Sequence, residues 1–205
     1  MKIEKILEMA KSQIGIKEQP ANSNKVKFNT EYYGKEVSGS AYPWCCVFVW
    51  WVFKHCESSG LFYDGKKTAY CPEVERFYKK CGQWYSDGKA GDLVLFDFNN
   101  KGKAGHIGIV EKVNLDGSYT TIEGNTGSGN DANGGAVMRR TRYASSIRGF
   151  ARPKYEEEDE TMTQAEKKEM EQLKIRVEEL EKNNTVYSIC VICHSYLFSY
   201  FEEKK

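Results

Sequence analysis

The chain reads as an α+β domain, helices first and an antiparallel sheet after, followed by a helical tail. Three observations predict this. Apolar residues keep helical spacing up to Gly82. From Trp84 onward the pattern changes to short runs rich in β-branched and aromatic residues, and after Pro153 the composition turns to Glu, Lys and Gln. The connections between the runs are mostly too short for the crossover that parallel strands need, so the strands are expected to pair antiparallel.

The elements follow in order. Ile3, Ile6, Leu7, Ala10 and Ile14 share one helical face, and Gly15 offers a stop. The polar stretch from Gln19 to Ser40 reads as loop anchored by Tyr32 and Tyr33. Pro43 precedes the apolar run Trp44 to Phe53, predicted as a buried helix whose continuation ends at Gly60. Pro72, the early Glu73 and Glu75, the late Lys79 and Lys80, and Gly82 mark a third helix. Five strands are predicted at 93–98, 106–113, 118–124, 136–143 and 148–153, with Asp116-Gly117 as a hairpin turn between the second and third. Residues 1–153 thus form one domain and 154–161 an acidic linker. Met170, Leu173, Val177 and Leu180 give residues 162–182 a short coiled-coil seam, expected to need a partner. The apolar tail 183–205 is short for a membrane-spanning helix and suits contact with a membrane surface or a partner.

Several classes are excluded. Thirty Lys and Arg against 29 Asp and Glu leave a net charge of +1 and no electrostatic footprint for nucleic acid. Eighteen Gly with 4 Pro exclude collagen-like and Pro-rich chains. The 7 cysteines are odd in number and spread through a long chain, which points to free thiols of a reducing compartment. Charged residues interrupt the N-terminal segment, so no secretory leader is expected.

Cys45 opens the predicted buried helix, where backbone N–H groups and the helix dipole favour a thiolate. Cys46 points about 100° away and reads as packing. Of the three histidines, His55 lies too far along the same helix and His194 lies in the tail. His106, at the start of a strand after a flexible loop, is left as the proton acceptor. An imidazole base needs a partner on its second nitrogen. Glu123 and Asn125 end the neighbouring strand, beside the start of the His106 strand. Glu123 can accept the ring N–H, while Asn125 either orients the ring or polarises the substrate. A plain turn is the alternative for Glu123-Gly124-Asn125. Tyr42, Trp44 and Trp84 are candidate groove walls, with core packing as the alternative. Cys190-x-x-Cys193-His194 matches a haem-attachment pattern, but five positions inside an apolar tail read as chance.

At these residues the sequence resembles CHAP domains, the cysteine- and histidine-dependent amidohydrolase/peptidases. The resemblance lies in Pro-Trp-Cys-Cys around Cys45, Ala-Gly-His-Ile-Gly around His106 and Ile-Glu-Gly-Asn-Thr around Glu123, with further similarity over residues 1–153. It implies a papain-like fold and hydrolysis of peptidoglycan amide bonds through an acyl-enzyme. Cys45 would be nucleophile, His106 base, Glu123 orienter and Asn125 a further polar group. Cys46 departs from the small residue usual after the nucleophile. The segment before Cys45 holds Glu36 as its sole carboxylate, so the calcium that some members bind is not expected, nor is any cofactor. Bacterial peptidoglycan is the expected partner, with self-association through 162–182. In resembling phage lysins a wall-binding module follows the catalytic domain and release proceeds through a membrane pore; here such a module is expected to be missing. An amidase on another substrate, or an idle wall-binding or assembly module, are the alternatives.

Overall fold

A computed structural model describes residues 2–156 and 164–182. Helices α1 (Ile3–Lys11), α2 (Lys27–Tyr33), α3 (Cys45–His55) and α4 (Cys71–Lys80) come first. Strands β1 (Trp84–Tyr85), β2 (Leu93–Phe96), β3 (His106–Val113), β4 (Tyr119–Thr126), β5 (Ala136–Arg142) and β6 (Ile147–Ala151) follow. They form one antiparallel sheet in the order β1-β6-β2-β3-β4-β5. The α+β expectation and all five predicted strands are borne out. A separate helix, α5 (Gln164–Lys182), occupies the predicted coiled-coil segment, with Met170, Leu173 and Val177 exposed.

Helix α3 is apolar all round, and its residues from Cys45 to Phe53 are all buried. Alternation in the strands divides the sheet into two faces. Leu93, Leu95, Ile107, Ile109 and Ile122 join the core around α3, while Val94, Phe96, Val110 and Phe150 form a second cluster. Helix α3 approaches β4 closely because residue 124 is glycine. A Cβ there would stand 2.5 Å from the Phe48 Cβ and 2.9 Å from the Trp44 ring. Gly117 turns the β3–β4 hairpin at φ +78°, as Asp116-Gly117 predicts.

Four local expectations are corrected. Helix α1 ends at Lys11 rather than near Gly15, where the Ser12 N–H closes on the Glu8 carbonyl; Ile14 lies beyond it and is exposed. The predicted loop 19–40 contains α2, which the buried Phe28 and Asn29 pin to the core and Gly34 terminates at φ +70°. Helix α3 ends at His55 rather than at Gly60. The Ser58 N–H reaches back to the Phe53 carbonyl and Glu57 takes the left-handed turn at φ +56°. Strand β1, too short for a recognisable pattern, pairs with β6 at the sheet edge.

Replacing Gly124 with Ala is expected to cost about 1–3 kcal/mol, because neither Phe48 nor Trp44 has room to retreat. A lower urea midpoint at unchanged slope checks this; an unchanged midpoint would mean that α3 is free to shift.

Candidate active site

Cys45 is the first residue of α3, and its N-terminal turn carries backbone N–H groups that no preceding helical carbonyl can satisfy. The residue is 4% exposed. Pro43 and the non-helical Trp44 (φ −123°, ψ 15°) set the entry.

His106 is the first residue of β3 and is fully buried. The preceding loop is tied down by Asp97, whose carboxylate accepts the Lys101 and Gly102 N–H groups, while the Gly105 N–H returns to the Phe96 carbonyl. The His106 ring lies 5.8 Å from both Phe96 and Phe98. Its Nε2 is 3.0 Å from Glu123 Oε2, and Nδ1 has no hydrogen-bond partner. An ionised Glu123 accepts only, so Nε2 carries the hydrogen and Nδ1 is the ring nitrogen left over. Cys45 and His106 are close enough to shift each other's titration.

Gly108 explains the glycine in His-Ile-Gly. A Cβ at 108 would stand 2.5 Å from Glu123 Cγ, so only glycine lets the Glu123 side chain cross β3 to reach His106. The predicted neighbours Cys45, His106 and Glu123 are therefore brought together. Asn125, also fully buried, lies near the end of β4 as expected, in a bulge between Glu123 and Thr126. Its backbone is left-handed (φ +57°), Nδ2 donates to Asn133 Oδ1, and Oδ1 has no partner.

The residue that sequence reasoning missed is Arg142. Its Nε and Nη2 donate to the two Glu123 oxygens at 2.8 and 2.6 Å, and Thr121 Oγ1 donates to Oε1 at 2.6 Å. The guanidinium also binds Asp131 at 2.8 Å and lies over the Phe96 and Phe98 rings. Three arginines fall in β5; Arg140 and Arg142 share one face and both reach Asp131, and the contacts with Glu123 are what single out Arg142.

The charges follow from these contacts. Burial works against the Glu123 carboxylate, but Arg142 and His106 outweigh it and hold the group down to about 2. Burial likewise works against an imidazolium at 106, yet Cys45 and Glu123 raise it to about 9. The Cys45 thiol is pushed up by its contact with Cys71, 3.7 Å away, and by burial, with His106 opposing.

Two proposed groove walls are corrected. Trp44 is wholly buried, stacked on Phe28 with Nε1 donating to Glu18 at 2.8 Å, because α3 needs its ring to fill the core. Trp84 belongs to β1, three strands from β3 and in register with Leu93 rather than Phe96, about 14 Å across the sheet from the His106 strand. Tyr42 is half-buried against Tyr33. A depression of 730 Å³, lined by Glu18, Gly127, Gly134 and Arg139 among others, adjoins the Asn125 segment, whose carbonyl accepts the Gly134 N–H. His55 pairs with Glu31 and stacks on Trp51. Among the described residues no group of His, Cys, Asp and Glu is arranged to hold a metal ion, and no helix is long and apolar enough to cross a membrane. The haem-like motif 190–194 and the tail 183–205 lie outside the described residues.

Comparison with known families matches residues 37–125 to the CHAP domain, bearing out the resemblance over that segment. No curated protein matches. Among solved structures, the wild-type endolysin LysIME-EF1 is 13% identical with a TM-score of 0.43, over 76% of this chain and 66% of that one. Ly7917 is 14% identical with a TM-score of 0.43, over 75% and 63%. Ly7917 with the hydrolyzing product of MDP is 16% identical with the same TM-score, over 74% and 63%. The chain spans 63–66% of the length of these three chains, less than two thirds.

Arg142→Leu strands an ionised carboxylate in the interior and is expected to cost about 3–5 kcal/mol, with Arg142→Lys recovering part, as thermal or urea unfolding would report. The His106–Glu123 pairing also gives stability a pH dependence. His106 is raised from 6.5 to about 9, so its contribution is full below 6.5 and lost as pH rises through about 9. Glu123 is depressed from 4.5 to about 2, so its contribution is full above 4.5 and lost as pH falls through about 2. Urea midpoints against pH are expected to lose the alkaline slope in His106→Ala; equal slopes in both proteins would refute the assignment.

Proposed function

We propose, with the CHAP match over residues 37–125 as premise, that the protein is a peptidoglycan hydrolase cleaving a cell-wall amide by thiol catalysis. The observation that supports this most is the buried imidazole of His106, held at Nε2 by Glu123 at 3.0 Å with Nδ1 unpartnered and Cys45 its titrating neighbour.

In this reading His106 Nδ1 takes the Cys45 proton and the thiolate attacks the amide carbonyl. The oxyanion forms beside the first-turn N–H groups of α3, Cys45 N–H foremost. His106 returns the proton to the leaving amine, giving a thioester at Cys45. It then deprotonates the water that hydrolyses that thioester. His106, raised to about 9, takes this proton only in its neutral form, so the reading implies lysis that climbs with pH towards that range, while Cys71 and burial keep the Cys45 proton on sulfur until then. Glu123 fixes tautomer and ring orientation, and Arg142 keeps Glu123 ionised. Asn125, with its buried unpartnered Oδ1 in the bulge two residues from Glu123, is the further polar group of this reading. Helix α5 serves self-association in the same reading, its exposed seam covered by a second copy.

Lysis of purified walls, followed as loss of turbidity, tests the proposal. Cys45→Ala and His106→Ala are expected to fall by about three orders of magnitude or more, and Glu123→Gln by less. Equal lysis by wild type and Cys45→Ala would end the thiol reading, and wall binding without lysis would favour a binding module. Mass spectrometry of released muropeptides then identifies the bond. New free N-acetylmuramic ends mean an amidase; new amino-acid N-termini mean a peptidase.

A further inference from the structure

A second buried thiol stands beside the nucleophile and has no part in acyl transfer. Cys71 is the first residue of α4, 3% exposed, with its Sγ 3.7 Å from Cys45 Sγ. Two helix N-termini therefore converge on one sulfur pair, their first-turn N–H groups working against the sulfur contacts and the burial that push both thiols up. The other described cysteines are placed differently. Cys56 donates to the Lys5 carbonyl and Cys81 is exposed, while Cys46, fully buried one residue along α3, is a second neighbour of Cys71 but not the residue at the helix start. We infer that Cys45 and Cys71 form a reversible disulfide that takes the nucleophile out of use when the protein meets peroxide. The inference deepens the proposed function and rests on Cys45 being its nucleophile.

The chemistry closes without a further reactant. The Cys45 thiolate attacks one oxygen of hydrogen peroxide; an S–O bond forms, the O–O bond breaks, and the departing hydroxide takes a proton to become water. The Cys71 thiolate then displaces hydroxide from the Cys45 sulfenic acid. The S–S bond forms and a second water leaves. Two thiols are oxidised by one electron each and one peroxide is reduced by two. A dithiol reverses the step by exchange.

Geometry favours this pair. The sulfurs need to approach by roughly 1.7 Å to reach bonding distance. Both belong to the first residue of a helix, where a side-chain rotation and a small first-turn shift disturb no hydrogen bond on the N–H side. Of the sulfurs grouped here, Cys45 is the one that a carbonyl substrate, and hence a small peroxide, must reach. Capture by Cys71 then protects Cys45 from further oxidation to sulfinic and sulfonic acids.

The test uses the full chain, treated with hydrogen peroxide and quenched with N-ethylmaleimide. The expected product is two hydrogens lighter than the reduced protein, and its peptide map joins the Cys45 and Cys71 peptides. Wall lysis is expected to fall in proportion to the linked fraction and to return with dithiothreitol. In Cys71→Ala the same treatment is expected to add oxygen atoms at Cys45, and dithiothreitol then recovers a smaller share of that variant's own starting activity. Cys71→Ser provides the same comparison should the alanine variant fail to fold. No linked species, a link to Cys46, or full recovery in the Cys71 variant would overturn the inference. Mass and mapping need no substrate, so the two readings fail separately. A 45–71 link in a protein that never lyses walls counts against the hydrolase; lysis without the link counts against the switch.

Discussion

Glu123 holds a negative charge with no exposure to solvent, and the middle of the molecule is arranged around that fact. Removing a carboxylate from water costs several kcal/mol unless its lone pairs are met. Arg142 meets both oxygens, Thr121 adds a hydroxyl to one, and His106 occupies the other. The first two partners come from β5 and β4, so the sheet must be assembled before the charge is tolerable. Once assembled, the carboxylate cannot swing, and neither can the imidazole bonded to it. Rigidity at Nε2 leaves Nδ1 as the sole titrating corner of the ring.

Two glycines bring this arrangement to the thiol. Gly108 clears the path by which Glu123 crosses β3, and Gly124 clears the path by which α3 settles on β4. In sequence they look like punctuation in His-Ile-Gly and Glu-Gly-Asn. In space each is the absence of a methyl group where a functional side chain or helix has to pass. The Asn125 bulge follows from the same packing, because the left-handed residue after Gly124 lets β4 continue to Thr126.

The large elements were legible because their signals are local. Strand β3 coincides with the predicted run at both ends, since its apolar alternation begins and stops with its pairing. Helix α3 declared itself by a run apolar on every face. Helix α2 did not, because Phe28 and Asn29 hold seven mostly polar residues helical through contacts with distant parts of the chain. Cys45, His106 and Glu123 were readable from chain order and from the family resemblance. Arg142 was not: Arg139 pairs with Glu111 and Arg140 with Asp131, and the same residue type two positions on turns into the core. Trp44 deceived for the opposite reason, since an aromatic beside a nucleophile suggests a groove wall until its ring is seen stacked beneath the surface. The tail helix was visible in its composition and in the spacing of Met170, Leu173 and Val177.

The state of one imidazole decides the whole arrangement, and nitrogen-15 NMR of the labelled full-length chain reads it directly. The expected spectrum has His106 Nε2 protonated throughout and Nδ1 changing with pH, with a midpoint near 9 rather than the ordinary 6.5. A neutral ring protonated at Nδ1, or a midpoint below 6.5, would contradict the carboxylate-anchored base.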